Sequence, residues 1–237
     1  MIRRPATTLT LPTSWEACTP AARMLLYSLM ARKDVQPEDA AALLATHYAR
    51  KQQTMQLTPD TLAAAIRVLD WVGETPQNPV PLPTVDDTDP CNEYLHGVHF
   101  RDYLQLENYY QGYLISRDPE ALHLAIGVVY ARTTEWVQRW PWLVPAFIVW
   151  YAGLKAWQAR EYPHLFRPSQ AGAEPPDMRA IMQAQIRALT AGDVTKTDAV
   201  LAAMTNDALA ELDAKAHDAQ ELDKLYRQKY VWNASTS

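Results

Sequence analysis

Cys91, Glu93, His96 and His99 follow one another closely and supply a thiol, a carboxylate and two imidazoles. Sulfur and nitrogen donors of this kind suit zinc, which binds them tetrahedrally. Structural zinc sites bring their ligands in pairs at fixed spacing, however, and the only other cysteine of the chain, Cys18, is far away in sequence. The stretch therefore reads as a loop leading into a helix, and no metal ligand is assigned. Asp86, Asp87 and Asp89 resemble a fragment of a calcium loop, but the glycine and distal glutamate that such a loop needs are missing, so a solvated turn is expected.

The commoner catalytic arrangements are absent as well. There is no GxSxG, no phosphate loop ending in GK[ST], no HExxH and no GxGxxG, and the 7 glycines of the chain could hardly build such loops. An acid and a base need only meet in space, so an all-α enzyme with a dispersed site is kept as a third, less favoured reading. No catalytic, cofactor-binding or metal residue is assigned, no cofactor is expected, and the chain is read as a non-enzyme.

Aromatic residues are the remaining chemistry. Trp136, Trp140, Trp142, Trp150 and Trp157, with Tyr109, Tyr110, Tyr113, Tyr130 and Tyr151, have the surfaces to stack on a sugar or nucleobase. They recur at helical spacing with no basic groove beside them, which favours core packing or a protein interface, where Trp and Tyr carry much of the binding energy. The formal net charge of -5, with both signs mixed along the chain, leaves no electrostatic footprint for nucleic acid.

These side chains must be positioned by helices. Thr19-Pro20, Thr58-Pro59 and Asp118-Pro119 each pair an N-cap with a first-turn proline, and Asp177 caps a run beginning at Met178. Apolar residues at i, i+3 and i+4 follow: Ala22, Leu25, Leu26 and Leu29 to about Arg32; Ala41, Leu44, Ala45 and Tyr48 after Pro37-Glu38-Asp39; and Leu62, Ala65, Ile66 and Leu69 up to the stop at Gly73. Val98 to Ser116 and the segment capped by Asp118 predict a helical hairpin. After the Trp-Pro-Trp corner, Phe147, Trp150, Tyr151, Leu154 and Trp157 predict a helix apolar on nearly every side, which belongs at the centre of the fold. Thr195 and Asp198 have the spacing of a capping box. From Asn206 to about Lys229, Leu209, Leu212, Ala216, Ala219, Leu222, Leu225 and Tyr226 form a stripe close to a heptad, able to pack on the body or on another chain.

The expected fold is all-α: a bundle of about six helices, a C-terminal helical appendage and a short extended N-terminal arm at residues 6–12, where Thr and Leu alternate. The expected organisation is an arm and helices at 1–73, a proline-rich surface linker at 74–97, an aromatic-rich core at 98–166 packing with 13–73 as one body, a linker at 167–177 and a helical region at 178–237. The N-terminus lacks the apolar run of a secretion signal, and Trp140–Leu154, about fifteen residues broken by two prolines, falls short of the roughly twenty needed to span a bilayer. With two cysteines that make no disulfide framework, the expected location is a reducing cytoplasm.

Leu11-Pro12, Ser14-Trp15-Glu16, Thr19 and the Leu25–Leu29 run resemble the opening of small proteins encoded in tail-gene clusters of Bacteroidetes phages and prophages. The resemblance continues through His99-Phe100-Arg101-Asp102-Tyr103, Glu107–Tyr113 and Trp150-Tyr151-Ala152-Gly153 to Phe166. Val128–Arg132 departs from it, since the family there more often reads Leu-Tyr-Arg-Pro. Such proteins resemble tail assembly chaperones or minor tail components. The resemblance implies binding to a tape-measure or tail-tube protein, a location in the host cytoplasm or the virion, and no turnover. It carries over no site residue. A homo-oligomer is compatible with it. The alternative reading is a helical adaptor or regulatory protein unrelated to tails.

Overall fold

A computed structural model describes residues 9–52, 57–167 and 177–235. Among them are ten α-helices and two short 3-10 turns, with no strand beyond two isolated bridges, so the fold is all-α as the periodicities imply. The chain divides into two compact units. The first holds residues 1–93 and 132–156, the second 94–131 and 157–237.

In the first unit, α1 (Pro20–Met30), α2 (Pro37–Lys51) and α3 (Pro59–Val68) pack in sequence. The capping residues act as their types imply: Thr19 Oγ1 accepts from the Ala22 amide and Thr58 Oγ1 from the Thr61 amide, each satisfying a donor that a helix start leaves orphaned. α3 ends at Val68, earlier than expected, and the chain tightens into a 3-10 turn at Asp70–Gly73 that buries Trp71 and Val72.

Residues 74–93 form no helix, as five prolines between 76 and 90 dictate, yet they are not a surface linker: Val80, Leu82 and Val85 are buried. Asp86 and Asp87 both have positive φ (47° and 54°) between the mutually bonded Val85 and Thr88, the conformation of a tight hairpin turn that Asp tolerates.

The unit resumes with α6 (Thr134–Gln138) and α7 (Leu143–Glu161), whose residues through Ala156 belong to it. Leu143, Ala146, Phe147, Trp150, Tyr151 and Leu154 on α7 are all at or below 1 % exposed, which accounts for a helix without a polar face.

In the second unit, α4 (Phe100–Ser116) and α5 (Pro119–Tyr130) make the expected hairpin, turned by Arg117 at φ 58° and by Asp118, whose carboxylate accepts from the Glu120 amide. α8 (Met178–Thr190), α9 (Thr197–Ala202) and α10 (Thr205–Ser235) pack with α4. The C-terminal helices thus share a unit with the α4–α5 hairpin, a grouping different from the expected appendage.

The Thr195 capping box does not form. Asp193 caps a 3-10 turn at Val194–Lys196, accepting from the Thr195 amide and hydroxyl, and α9 starts after it. The first residues of the expected arm, and nearly all of the 167–177 linker, lie outside the described residues. Among the described residues, no helix is long and apolar enough to cross a membrane.

Candidate binding surfaces

The four residues considered for a metal are divided between the units, Cys91 and Glu93 falling in the first and His96 and His99 in the second. Each histidine has a structural role. His99 Nδ1 lies 2.8 Å from the Ala202 carbonyl, which makes that nitrogen a donor, and His96 Nδ1 lies 3.1 Å from the Asn206 amide nitrogen. Asn206 also donates to the Tyr94 carbonyl, Phe100 N donates to Ala203 O, and Thr205 N and Oγ1 donate to Val98 O. The 94–100 segment is thereby stapled to the turn between α9 and α10. Burial pushes the Cys91 thiol up to about 12, far from the thiolate that would bind a metal. Among the described residues, no group of three or more His, Cys, Asp or Glu is placed to hold a metal ion.

The aspartates also have protein partners. Asp86 lies 3.6 Å from Arg139, and Asp89 accepts from the Thr84 hydroxyl at 2.6 Å. The Arg132 guanidinium donates twice to the hydroxyl of buried Thr88, tying the Val85–Thr88 turn to the chain entering α6.

The tryptophans and tyrosines are divided between the two units. Trp150 and Tyr151 are wholly buried beside Phe147 in the first unit, and the Trp150 indole donates to the Glu93 carbonyl. Trp157 meets Tyr94 edge-on in the second, and Tyr113 lies under the Arg117 guanidinium. Glu107, a buried acid on α4 that the sequence reading named only within the resemblance, accepts from the Gln111 amide at 2.8 Å. Its neighbour Tyr103 has its phenol raised, first by burial and then by the Glu107 charge.

Two surfaces among the described residues are candidates for binding. The first is a cleft of about 260 Å³ in the first unit, lined mostly by apolar groups, among them Trp15, Met30, Val35, Val72, Ile148 and Ala152. An aromatic trio supports it. Trp15 stacks on Tyr27 with centroids 6.1 Å apart and meets Trp71 edge-on at 5.3 Å. Both indoles are held, Trp15 donating to Glu74 O and Trp71 to Pro12 O. The described part of the N-terminal arm is likewise engaged: Thr10 N donates to the Gln52 side-chain oxygen at 3.0 Å and Thr10 O accepts from its amide at 2.7 Å. The sequence reading named Trp15 only within the resemblance and did not single out Trp71.

The second surface is on α10. Ala208, Leu209 and Leu212 are buried, and Asp213 accepts from the His164 and Leu165 amides. The His164 ring reaches Gln220 and lies edge-on to His217 with centroids 4.5 Å apart. Beyond Gln220 the stripe continues without cover: Leu222, Leu225 and Tyr226 are 56 %, 62 % and 56 % exposed.

No family model, curated protein or solved structure matches this chain.

Proposed function

We propose that the chain is a non-enzymatic phage morphogenesis protein, a tail assembly chaperone or minor tail component of the host cytoplasm or virion that works by binding another tail protein. The resemblance of the Leu11–Leu29, His99–Tyr113 and Trp150–Phe166 segments to tail-cluster proteins supports the tail assignment. The observation that carries the binding reading is the apolar cleft of the first unit. Its walls offer apolar contact around a firmly held indole, Trp15, and its size suits one or two large apolar side chains of a helical or extended tail partner, the kind of anchor on which protein interfaces depend.

Purified phage particles and cell lysate, each quantified by mass spectrometry against the major tail protein, test the assignment. The protein should be found in particles at a fixed ratio, or in lysate bound to the tape-measure or tail-tube protein. The Ile148→Glu variant, which places a charge in the cleft, should lose that partner while staying folded. Absence from both particles and tail-protein complexes would overturn the reading.

A further inference from the structure

An isolated helical segment of a dozen residues is marginal in water, because helices in proteins draw most of their stability from a packed face. Among the residues whose side chains are described, α10 has such a face only as far as Gln220, yet the helix runs on to Ser235. Residues 221–227 are all exposed, and Leu222, Leu225 and Tyr226, spaced i, i+3 and i+4, line one side of this extension.

Charge on this extension is segregated. The seven residues 217–223 contain Asp218, Glu221 and Asp223 and no Lys or Arg. The next seven, 224–230, contain Lys224, Arg227 and Lys229 and no acid. Two such helices side by side in parallel would set acids against acids and bases against bases. Reversing one of them sets each acidic heptad against a basic one, so charge selects the antiparallel orientation. The point of reversal lies between Asp223 and Lys224. A crossing there also sets Leu222 opposite the partner's Leu225, and Leu225 opposite the partner's Leu222, so the apolar and ionic registers coincide.

We propose that the α10 extension pairs with the same segment of a second copy of this chain, antiparallel and centred between Asp223 and Lys224. The overlap, residues 217–230, is about two heptads or 20 Å long, so the pair forms reversibly at micromolar concentrations or above. Within one copy Lys224 already reaches Glu221 and Arg227 reaches Asp223. These exposed pairs exchange for equivalent ones across the interface, so Leu222, Leu225 and Tyr226 provide the driving force and the charges set direction.

Sedimentation of the full chain over about 1–300 μM should show a monomer–dimer equilibrium governed by mass action. Leu225→Glu should weaken it by about tenfold or more, since it puts an acid in the centre of the apolar contact. At a concentration where both proteins are monomeric, the far-UV circular dichroism of that variant should equal that of the parent, because the site is exposed within one copy.

Orientation is read by mixing equal amounts of Leu222→Cys and Leu225→Cys protein under mild oxidation and mapping the disulfides by mass spectrometry. The mixed 222–225 link should exceed either self-link. A monomer throughout the range, a dimer indifferent to Leu225→Glu, or a dominant 225–225 link of parallel helices would each overturn the proposal.

Discussion

Gly153 of α7 lies against the backbone of Asn78 so closely that a Cβ built on it would stand 2.2 Å from the Asn78 carbonyl oxygen and 3.1 Å from the Pro79 Cα. The obstacle is main chain, with no flexible side chain to swing aside. Gly153→Ala must therefore push the proline-rich segment off α7, and it should cost about 1–3 kcal/mol, as overpacking does. Urea denaturation monitored by tryptophan fluorescence measures this loss, and a midpoint equal to that of the parent would mean that the segment is not seated on the helix.

Gln158 is fully buried, and neither polar atom of its side-chain amide has a hydrogen-bond partner among the described residues. A buried amide without partners opposes folding, so an apolar residue of similar volume should serve better. Gln158→Met is expected to raise stability by roughly 1 kcal/mol in denaturant titration. A loss of that size would show that the amide is bonded after all.

Ala131 ends α5 with φ 51°, in the left-handed region where a Cβ is strained. Glycine removes that strain but makes the unfolded chain more flexible. With about 1–2 kcal/mol relieved and about 0.4–1 returned, Ala131→Gly should gain about 0.5 kcal/mol. Calorimetry would register this as a small rise in Tm, and a fall would show that the backbone there relaxes in solution.

Burial holds the Tyr27 hydroxyl above its ordinary value of 10.0 and pushes the Cys91 thiol from 9.0 up to about 12. In the unfolded chain both ionise near their ordinary values. The protonated forms therefore favour the folded state fully below about pH 9, and this contribution is lost as the pH rises through the unfolded and then the folded values. The urea midpoint should hold between about pH 7 and 8.5 and fall beyond about pH 9.5, with a shallower fall for Tyr27→Phe. In the native protein at about pH 8, Cys91 should react with alkylating reagents far more slowly than a free thiol. Rapid labelling there would place the thiol in solvent.

The helix starts were legible because their chemistry is local. Thr19, Thr58, Asp118 and Asp177 each accept from an amide two or three residues on, and that needs only the right side chain at the right offset. Thr195 shows the limit of the same rule. Asp193, two residues earlier, takes both the Thr195 amide and its hydroxyl, and a spacing pattern cannot foresee that competition. The burial of Val80, Leu82 and Val85 was illegible for another reason: an irregular segment has no period, and what it packs against is distant in sequence, as the approach of Asn78 and Pro79 to Gly153 shows.

The candidate surfaces divide in the same way. The α10 stripe was visible as a heptad-like run, but where its intramolecular cover stops depends on Asp213, His164 and Gln220 meeting across the unit. The cleft was invisible, because Trp15, Val72 and Ile148 come from three separated stretches.

The division of the chain has a consequence for its synthesis. The first unit is interrupted by residues 94–131 and is completed only by residues 132–156. A ribosome working from the N-terminus must therefore deliver residues 132–156, with the buried Phe147 and Trp150, before the first unit can close. Until then, the nascent protein presents apolar surface to chaperones and aggregation partners alike.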